Sequence, residues 1–325
     1  MAREMKNIMV TGANGQIGSE LIVELRKKHG VDRVLATDIA EPGPGILAGG
    51  PFEFLDVTRR EEIGRAIHKH GIDTIYHLAA ILSATGEKNP SKAWDVNING
   101  TLNILECARE RGLVRVFIPS SIAVFGHATP RDHTPQDTIL DPGTMYGVTK
   151  VACEHLADYY VAKYGVDVRG CRYPGIISHE TPPGGGTTDF AVAIFYEAVK
   201  SRRYTCFVNE DTRLPMMYMP DCLKCTLGLM EADFSPLRHH ADFNVTAMSF
   251  SAGELAAEIR KHIPGFVCEY RPDFRQDIAD SWPRSIDDSA ARREWGWKPD
   301  YDLARMTEDM LRVLIRREGL ATTNA

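Results

Sequence analysis

The chain has no surplus of positive charge: 38 Lys and Arg stand against 44 Asp and Glu over 325 residues, a formal net charge of -6. That excludes the electrostatic footprint of a nucleic-acid-binding protein. Without a basic amphipathic stretch there is also no membrane-surface helix. No apolar run approaches transmembrane length. Paired cysteines are scarce. Seven are scattered along the chain, and Cys222 and Cys225 form one Cys-x-x-Cys with no second pair and no His pair to complete a zinc set. They read as small, partly buried residues at the start of a helix, so neither disulfides nor a structural metal is expected. His127, His133, His239 and His240 stand alone or in loops and read as surface residues. Residues 1–6 carry no apolar leader core and no Arg/Ser-rich presequence, which makes a cytoplasmic protein the expectation. Internal repeats are absent.

What is present is an ordinary globular composition, 43% hydrophobic and 25% charged. The length suits one large domain with a smaller one attached. Strand patterns fall at 6–10, 33–37, 52–55, 74–78, 114–118 and 167–171. Helical spacing fills the intervals, most clearly at 58–70, 91–111 and 145–163, with Gly30, Gly71 and Gly112 as stops. This alternation predicts an α/β fold with a parallel sheet covered on both faces. The rhythm breaks after Tyr173-Pro174-Gly175. Residues 1–174 are therefore assigned to the first domain and 175–325 to a smaller α/β lobe, with part of 205–250 free to return to the first.

Gly12, Gly15 and Gly18 lie between the first strand and the first helix. A turn without Cβ atoms lets a pyrophosphate reach backbone N–H groups at a helix start. Gly12, Asn14, Gly15, Gln16 and Ile17 are the expected cradle. Asp38 ends the second strand, 20 residues past Gly18. An acid there accepts hydrogen bonds from ribose hydroxyls and repels a 2′-phosphate, and no Arg follows it, so NAD is favoured over NADP. Asp56, Val57, Leu78, Ala79 and Ala80 sit at strand ends where such a cofactor would lie. Asp56 suits the adenine amine or, alternatively, a helix N-cap.

Tyr146 and Lys150 form a Tyr-x-x-x-Lys pair on one face of a predicted helix, and Ser121 precedes Tyr146 by 25 residues at a strand end. A free phenol, with a pKa of about 10, is a poor base at neutral pH. A nearby ammonium stabilises the phenolate. Tyr146 is then the general base for a substrate hydroxyl, Lys150 its activator and a ribose ligand, and Ser121 the group that orients the hydroxyl.

These residues, with Asn97-Ile98-Asn99-Gly100-Thr101 and Ser120-Ser121-Ile122-Ala123-Val124-Phe125-Gly126, resemble the extended short-chain dehydrogenase/reductase family, which includes UDP-sugar epimerases. The resemblance implies a doubly wound Rossmann sheet, NAD as cofactor with Asn97 and Tyr173 added to its site, and a homodimer packed through helices 91–111 and 145–163. Phe125 stands where the sugar enzymes usually carry tyrosine. Five further segments are similar to the short-chain, metal-independent branch that oxidises L-threonine. They are His77–Ser83, Arg172–Ser178, Gly184–Asp189, Leu214–Met219 and Ile278–Pro283. That similarity implies oxidation of the C3 hydroxyl to 2-amino-3-oxobutyrate, with Ser83, Thr187 and Thr188 on the amino and carboxylate groups. The Gly184–Gly186 run would let a loop close over the pocket, and Trp282 would cap it. Plainer roles remain open: helix N-capping for Thr187 and Thr188, dipole stabilisation for Asp189, simple packing for Trp282. A UDP-sugar 4-epimerase is the alternative enzyme. It would need a base-and-diphosphate site in the second lobe, where no basic cluster is evident. An NAD-sensing module would be expected to have lost part of the trio.

Overall fold

A computed structural model describes residues 4–43, 45–46, 49–182, 184 and 186–319. Gly185, within the predicted glycine loop, and residues 1–3 of the N-terminal stretch lie outside that set. Seven strands open the chain: β1 (Ile8–Thr11), β2 (Val34–Asp38), β3 (Phe52–Phe54), β4 (Thr74–His77), β5 (Arg115–Phe117), β6 (Ser120–Ser121) and β7 (Val168–Arg169). All but β6 form one parallel sheet in the order β3-β2-β1-β4-β5-β7. Its central strands are buried at every position, Ile8–Thr11 and Thr74–His77 alike. Continuous apolar runs of this kind are what a sheet covered on both faces requires.

The covering helices begin with α1 (Gln16–His29), α2 (Arg60–His70), α3 (Ser83–Lys88) and α4 (Pro90–Trp94), then α5 (Gly100–Arg111) and α6 (Met145–Tyr164). Gly71, Gly112 and Gly165 end α2, α5 and α6 in the left-handed conformation that glycine adopts at least cost. The helix expected at 91–111 is not uniform. A π turn at Asp95–Asn99 separates α4 from α5. Asn97 explains the wide turn: its Nδ2 donates to Ile81 O and Thr149 Oγ1, both at 3.0 Å, and its Oδ1 accepts from Ile81 N at 2.8 Å. The bulge projects this amide between the loop after β4 and helix α6.

The strand expected at 167–171 is also divided. β7 stays in the main sheet, whereas β8 (Cys171–Tyr173) pairs with β6 on one side. Gly170 marks the step, since a Cβ there would stand 2.0 Å from Ile118 O. The remaining strands are β9 (Gly175–Ile177), β10 (Arg203–Cys206), β11 (Arg213–Tyr218), β12 (Phe243–Asn244), β13 (Met248–Ser251) and β14 (Val267–Tyr270). β9, β11 and β13 form a mixed sheet in the second lobe, and β10 pairs with β14. The remaining helices are α7 (Phe190–Ser201), α8 (Met219–Glu231), α9 (Ala252–His262), α10 (Arg275–Ser281), α11 (Ser289–Trp295) and α12 (Leu303–Arg317). The chain returns to the first domain at α8, at β12 and at Ala291 and Trp297. α8 shares a core with α1, Ala291 and Trp297 join the same core, and β12 pairs with β8. Three apolar cores result, one on each face of the main sheet and one in the lobe around α7, α9 and α12.

Cys222 and Cys225 begin α8 and are fully buried, and burial pushes both thiols well up, which suits packing rather than reactivity. His127 and His133 are exposed, but His239 and His240 are half-buried. His239 Nδ1 lies 2.9 Å from Glu294 Oε1, and its ring packs on Phe243. Among the described residues no helix is long and apolar enough to cross a membrane.

Candidate active site

One cleft opens where β1, β4 and β6 end and β9 begins. Its walls come from the glycine turn on one side and from Gly175, Ile176, Gly186–Asp189 and Trp282 of the second lobe on the other, a junction of the kind where ligand sites form. Gly12, Gly15, Gln16, Ile17 and Gly18 line it. Gly12 has φ +70°, and a Cβ on it would stand 2.6 Å from Ala79 N. A Cβ on Gly18 would stand 2.2 Å from Gly12 O. The turn therefore exists only without side chains. No side chain caps the start of α1, and no acid stands in its first turn, so the positive end of the helix dipole is left for an anion. This cradle fits a dinucleotide pyrophosphate.

Asp38 is tied to the same turn: Oδ2 accepts from Asn14 N at 2.9 Å and Oδ1 from Ala40 N at 3.1 Å. Asn14 Nδ2 in turn holds Ala40 O and Glu41 O. Leu78 and Ala80 line the cleft, and Ala79 N points to Thr11 Oγ1 at 3.4 Å. Asp56 closes a local turn, accepting from Thr58 N at 2.9 Å and Thr58 Oγ1 at 2.8 Å, while Arg59 is the N-cap residue of α2. Val57 is buried against Gly100, where a Cβ would meet Val57 Cγ2 at 2.8 Å. Asn97 stands outside the lining and spends its amide on Ile81 and Thr149. Tyr173 lines the cleft, but its hydroxyl is paired with Thr226 Oγ1 behind it.

Ser121, Tyr146 and Lys150 all line the cleft. Ser121 ends β6 and its Oγ accepts from Ala123 N at 3.2 Å. That contact uses a lone pair and leaves the hydroxyl proton to donate elsewhere. Lys150 is nearly buried, with Nζ donating to Pro119 O at 2.7 Å and lying 5.5 Å from the centre of the Tyr146 ring. Two of its three N–H donors remain for other partners. His77, at the end of β4, bridges Thr11 Oγ1 (2.8 Å) and Thr101 Oγ1 (3.2 Å). Burial first, and then the charge of Lys150, push its imidazolium pKa down to about 3. His77 is thus a neutral spacer.

Ser83, Thr187, Thr188 and Trp282 line the same cleft. Thr187 is 1% exposed, and its Oγ1 has no partner among the described residues. An orphaned buried hydroxyl costs free energy unless a ligand satisfies it. Neither threonine caps α7. Asp189 is its N-cap residue, and Asp189 Oδ2 accepts from Gly186 N at 2.8 Å. Trp282 is both buried in the lobe core and a wall of the cleft. Phe125 is fully buried under the Arg172 guanidinium and does not line the cleft.

Several residues that set this geometry carry weak sequence signals. Thr144 Oγ1 accepts from Gly147 N at 3.1 Å and caps α6, and Glu87 Oε1 accepts from Met145 N at 2.7 Å. The threonine two residues before Tyr146 is a legible N-cap; Glu87 is not legible. Glu154, one turn past Lys150, forms a bidentate pair with Arg172 at 2.9 Å and also accepts from Ser120 Oγ. Among the described residues no group of three or more His, Cys, Asp or Glu side chains is arranged to hold a metal ion.

The profile of the NAD dependent epimerase/dehydratase family matches residues 8–245. An uncharacterized epimerase/dehydratase of Staphylococcus haemolyticus is 52% identical over 316 residues, covering 97% of this chain and 99% of that protein. The L-threonine dehydrogenase structure from Clostridium difficile superposes with a TM-score of 0.95 at 51% identity, covering 97% of this chain and 99% of that one. A monomeric L-threonine 3-dehydrogenase from a metagenome superposes with a TM-score of 0.92 at 50% identity, covering 95% and 99%.

The cradle yields a direct prediction. A Cβ at position 15 would stand 3.2 Å from Gly12 O, a contact that a small shift of the turn relieves, and it would add a methyl group to a residue that lines the cleft. Gly15→Ala is expected to weaken NAD binding at least about tenfold, roughly 1.4 kcal/mol, with an unchanged circular dichroism spectrum. Calorimetric titration that finds wild-type affinity would contradict the assignment.

Proposed function

The chain belongs to the NAD dependent epimerase/dehydratase family, and we propose that the NAD-dependent reaction it performs is oxidation of L-threonine at C3 to 2-amino-3-oxobutyrate. The observation that carries this reading is the shared cleft: the trio Ser121, Tyr146 and Lys150 opens on the same space as Ser83 and the Thr187 hydroxyl, which has no partner among the described residues. The half-identical solved dehydrogenases, which match both lobes, support it.

Bound NAD supplies the hydride acceptor. Tyr146 takes the proton of the substrate hydroxyl as its C–H bond breaks. The ammonium of Lys150 stabilises the negative charge on the phenolic oxygen. Ser121, its lone pair occupied by Ala123 N, donates its proton to the substrate oxygen and fixes that oxygen against Tyr146. Lys150 is held in place by Pro119 O and turns its remaining donors toward a ribose. Asp38 takes the adenosine ribose hydroxyls, and Asp56 stands at the adenine end. Thr187, Thr188 and Ser83 hold the carboxylate and amino groups of a small zwitterion, and Trp282 keeps water from that end. Loss of one proton and one hydride from the C3 carbinol leaves the ketone, which balances the step.

The same reading takes a homodimer through helices 91–111 and 145–163. Trp94, Leu102, Val148 and Tyr159 support it, as large apolar groups exposed along those helices. Tyr159→Glu would shift sedimentation from dimer to monomer; a wild-type protein sedimenting as monomer would end that part of the proposal.

Purified protein given NAD and L-threonine, with a chelator present, is expected to accumulate the absorbance of reduced nicotinamide. Tyr146→Phe should lower kcat by about 10²–10⁴-fold while leaving NAD affinity unchanged. If protein that binds NAD gives no signal with threonine or related hydroxy amino acids, the reading fails and UDP-sugars become the substrates to assay.

A further inference from the structure

Glu20 has no part in the chemistry above, yet it joins the two walls of the cleft. It lies on α1, just after the glycine cradle, and is only partly exposed. Its Oε1 accepts a hydrogen bond from Ser178 Oγ. Ser178 is fully buried and follows β9, whose Gly175 and Ile176 line the cleft. Ser178 Oγ also accepts from Glu180 N at 2.9 Å. The chain returns to the cleft at Gly186, Thr187 and Thr188. The outward part of this excursion is held at two further places. His179 O accepts from Tyr196 Oη of α7 at 2.9 Å and from Arg317 of α12, and Arg317 also pairs with Glu180.

The groups facing Glu20 come from every element around it. Glu24 stands one turn further along α1, and Glu180 and Arg317 lie on the far side. The Tyr196 and Tyr218 phenols and the Cys222 thiol complete the surround. Behind them, His179 Nδ1 lies 3.1 Å from Glu180 Oε1, and Tyr218 Oη donates to Asp309 Oδ2 at 2.8 Å. Burial opposes the carboxylate and is the largest effect; the Ser178 hydrogen bond and, more weakly, Arg317 favour it, and Glu180 and Glu24 add to the opposition. The carboxyl is therefore held up at about 7 instead of 4.5.

We propose that Glu20 is a positioning residue for the substrate wall: when neutral it holds Ser178, and with it β9 and the Thr187–Thr188 segment, against the cofactor helix, and when ionised it relaxes that hold and weakens L-threonine binding. The proposal rests on the threonine reading for its ligand. A charged Glu20 gains by turning toward water, and doing so releases Ser178. Substrate affinity falls in proportion to the fraction of molecules left in the competent arrangement. The direction follows from linkage. A carboxyl whose value is raised in the held arrangement stabilises that arrangement fully below its ordinary value, and the advantage is lost as pH rises toward about 7.

The test is the threonine KM at saturating NAD across about pH 6 to about pH 8, with kcat recorded beside it. Wild type should show a KM that rises severalfold and then levels. Glu20→Gln, which keeps the acceptor and cannot ionise, should hold the low KM throughout, with kcat near the wild-type value. Ser178→Ala should give the high KM throughout, and it carries the test if Glu20→Gln folds poorly. Exchange of the Ile177 and Ser178 amides, corrected for intrinsic rate, should accelerate over the same pH range in wild type only. This readout needs no substrate. Failure of threonine turnover with the exchange pattern intact would overturn the substrate reading alone. Parallel KM and exchange profiles in wild type and Glu20→Gln would overturn the proposal.

Discussion

Gly147 has no room for a side chain: a Cβ there would stand 2.1 Å from Ala123 O and 2.7 Å from the Pro142 Cβ. Helix α6 therefore starts in direct contact with the turn that follows Ser121. Because Tyr146 precedes this glycine and Lys150 follows it on the same helix, one backbone contact fixes Ser121, Tyr146 and Lys150, the groups proposed to react, relative to each other. A second close approach, Gly12 against Ala79, does the same for the cofactor cradle and the end of β4. Positioning of this kind comes from rigid elements rather than from loops, which is where most of the advantage of an oriented site lies.

The electrostatics follow the same economy. Lys150 is a nearly buried ammonium beside the phenol, and the buried imidazole of His77, held neutral, adds no second positive charge. Arg172 and Glu154, both almost fully buried, satisfy each other in a bidentate pair, which is costly to break from one side only. Through Ser120 this pair reaches the strand that carries Ser121. The site is thus anchored by ionic contacts behind Ser121, while the cleft keeps a Thr187 hydroxyl with no partner among the described residues.

Much of this was legible in the sequence because it is local. The apolar runs of β1 and β4, the glycine stops after α1, α2 and α5, and the glycine cradle depend on residues close in the chain. So do the spacing of Tyr146 and Lys150 and the position of Asp38. The departures all come from distant partners. The π turn at Asp95–Asn99 answers to Ile81 and Thr149, and the step at Gly170 answers to Ile118. His239 looked like a surface residue because Glu294, 55 positions away, is invisible from its neighbourhood. Glu20 reads as an ordinary helix acid until Ser178, 158 residues later, is placed beside it.

L-Threonine carrying deuterium at C3 tests the central chemical claim most directly. Incubated with NAD and the protein, it should deliver its label to the reduced nicotinamide, detected by mass spectrometry, with turnover slower than for the unlabelled amino acid. Label released to solvent, or reduced cofactor formed without it, would contradict hydride abstraction from the C3 carbinol.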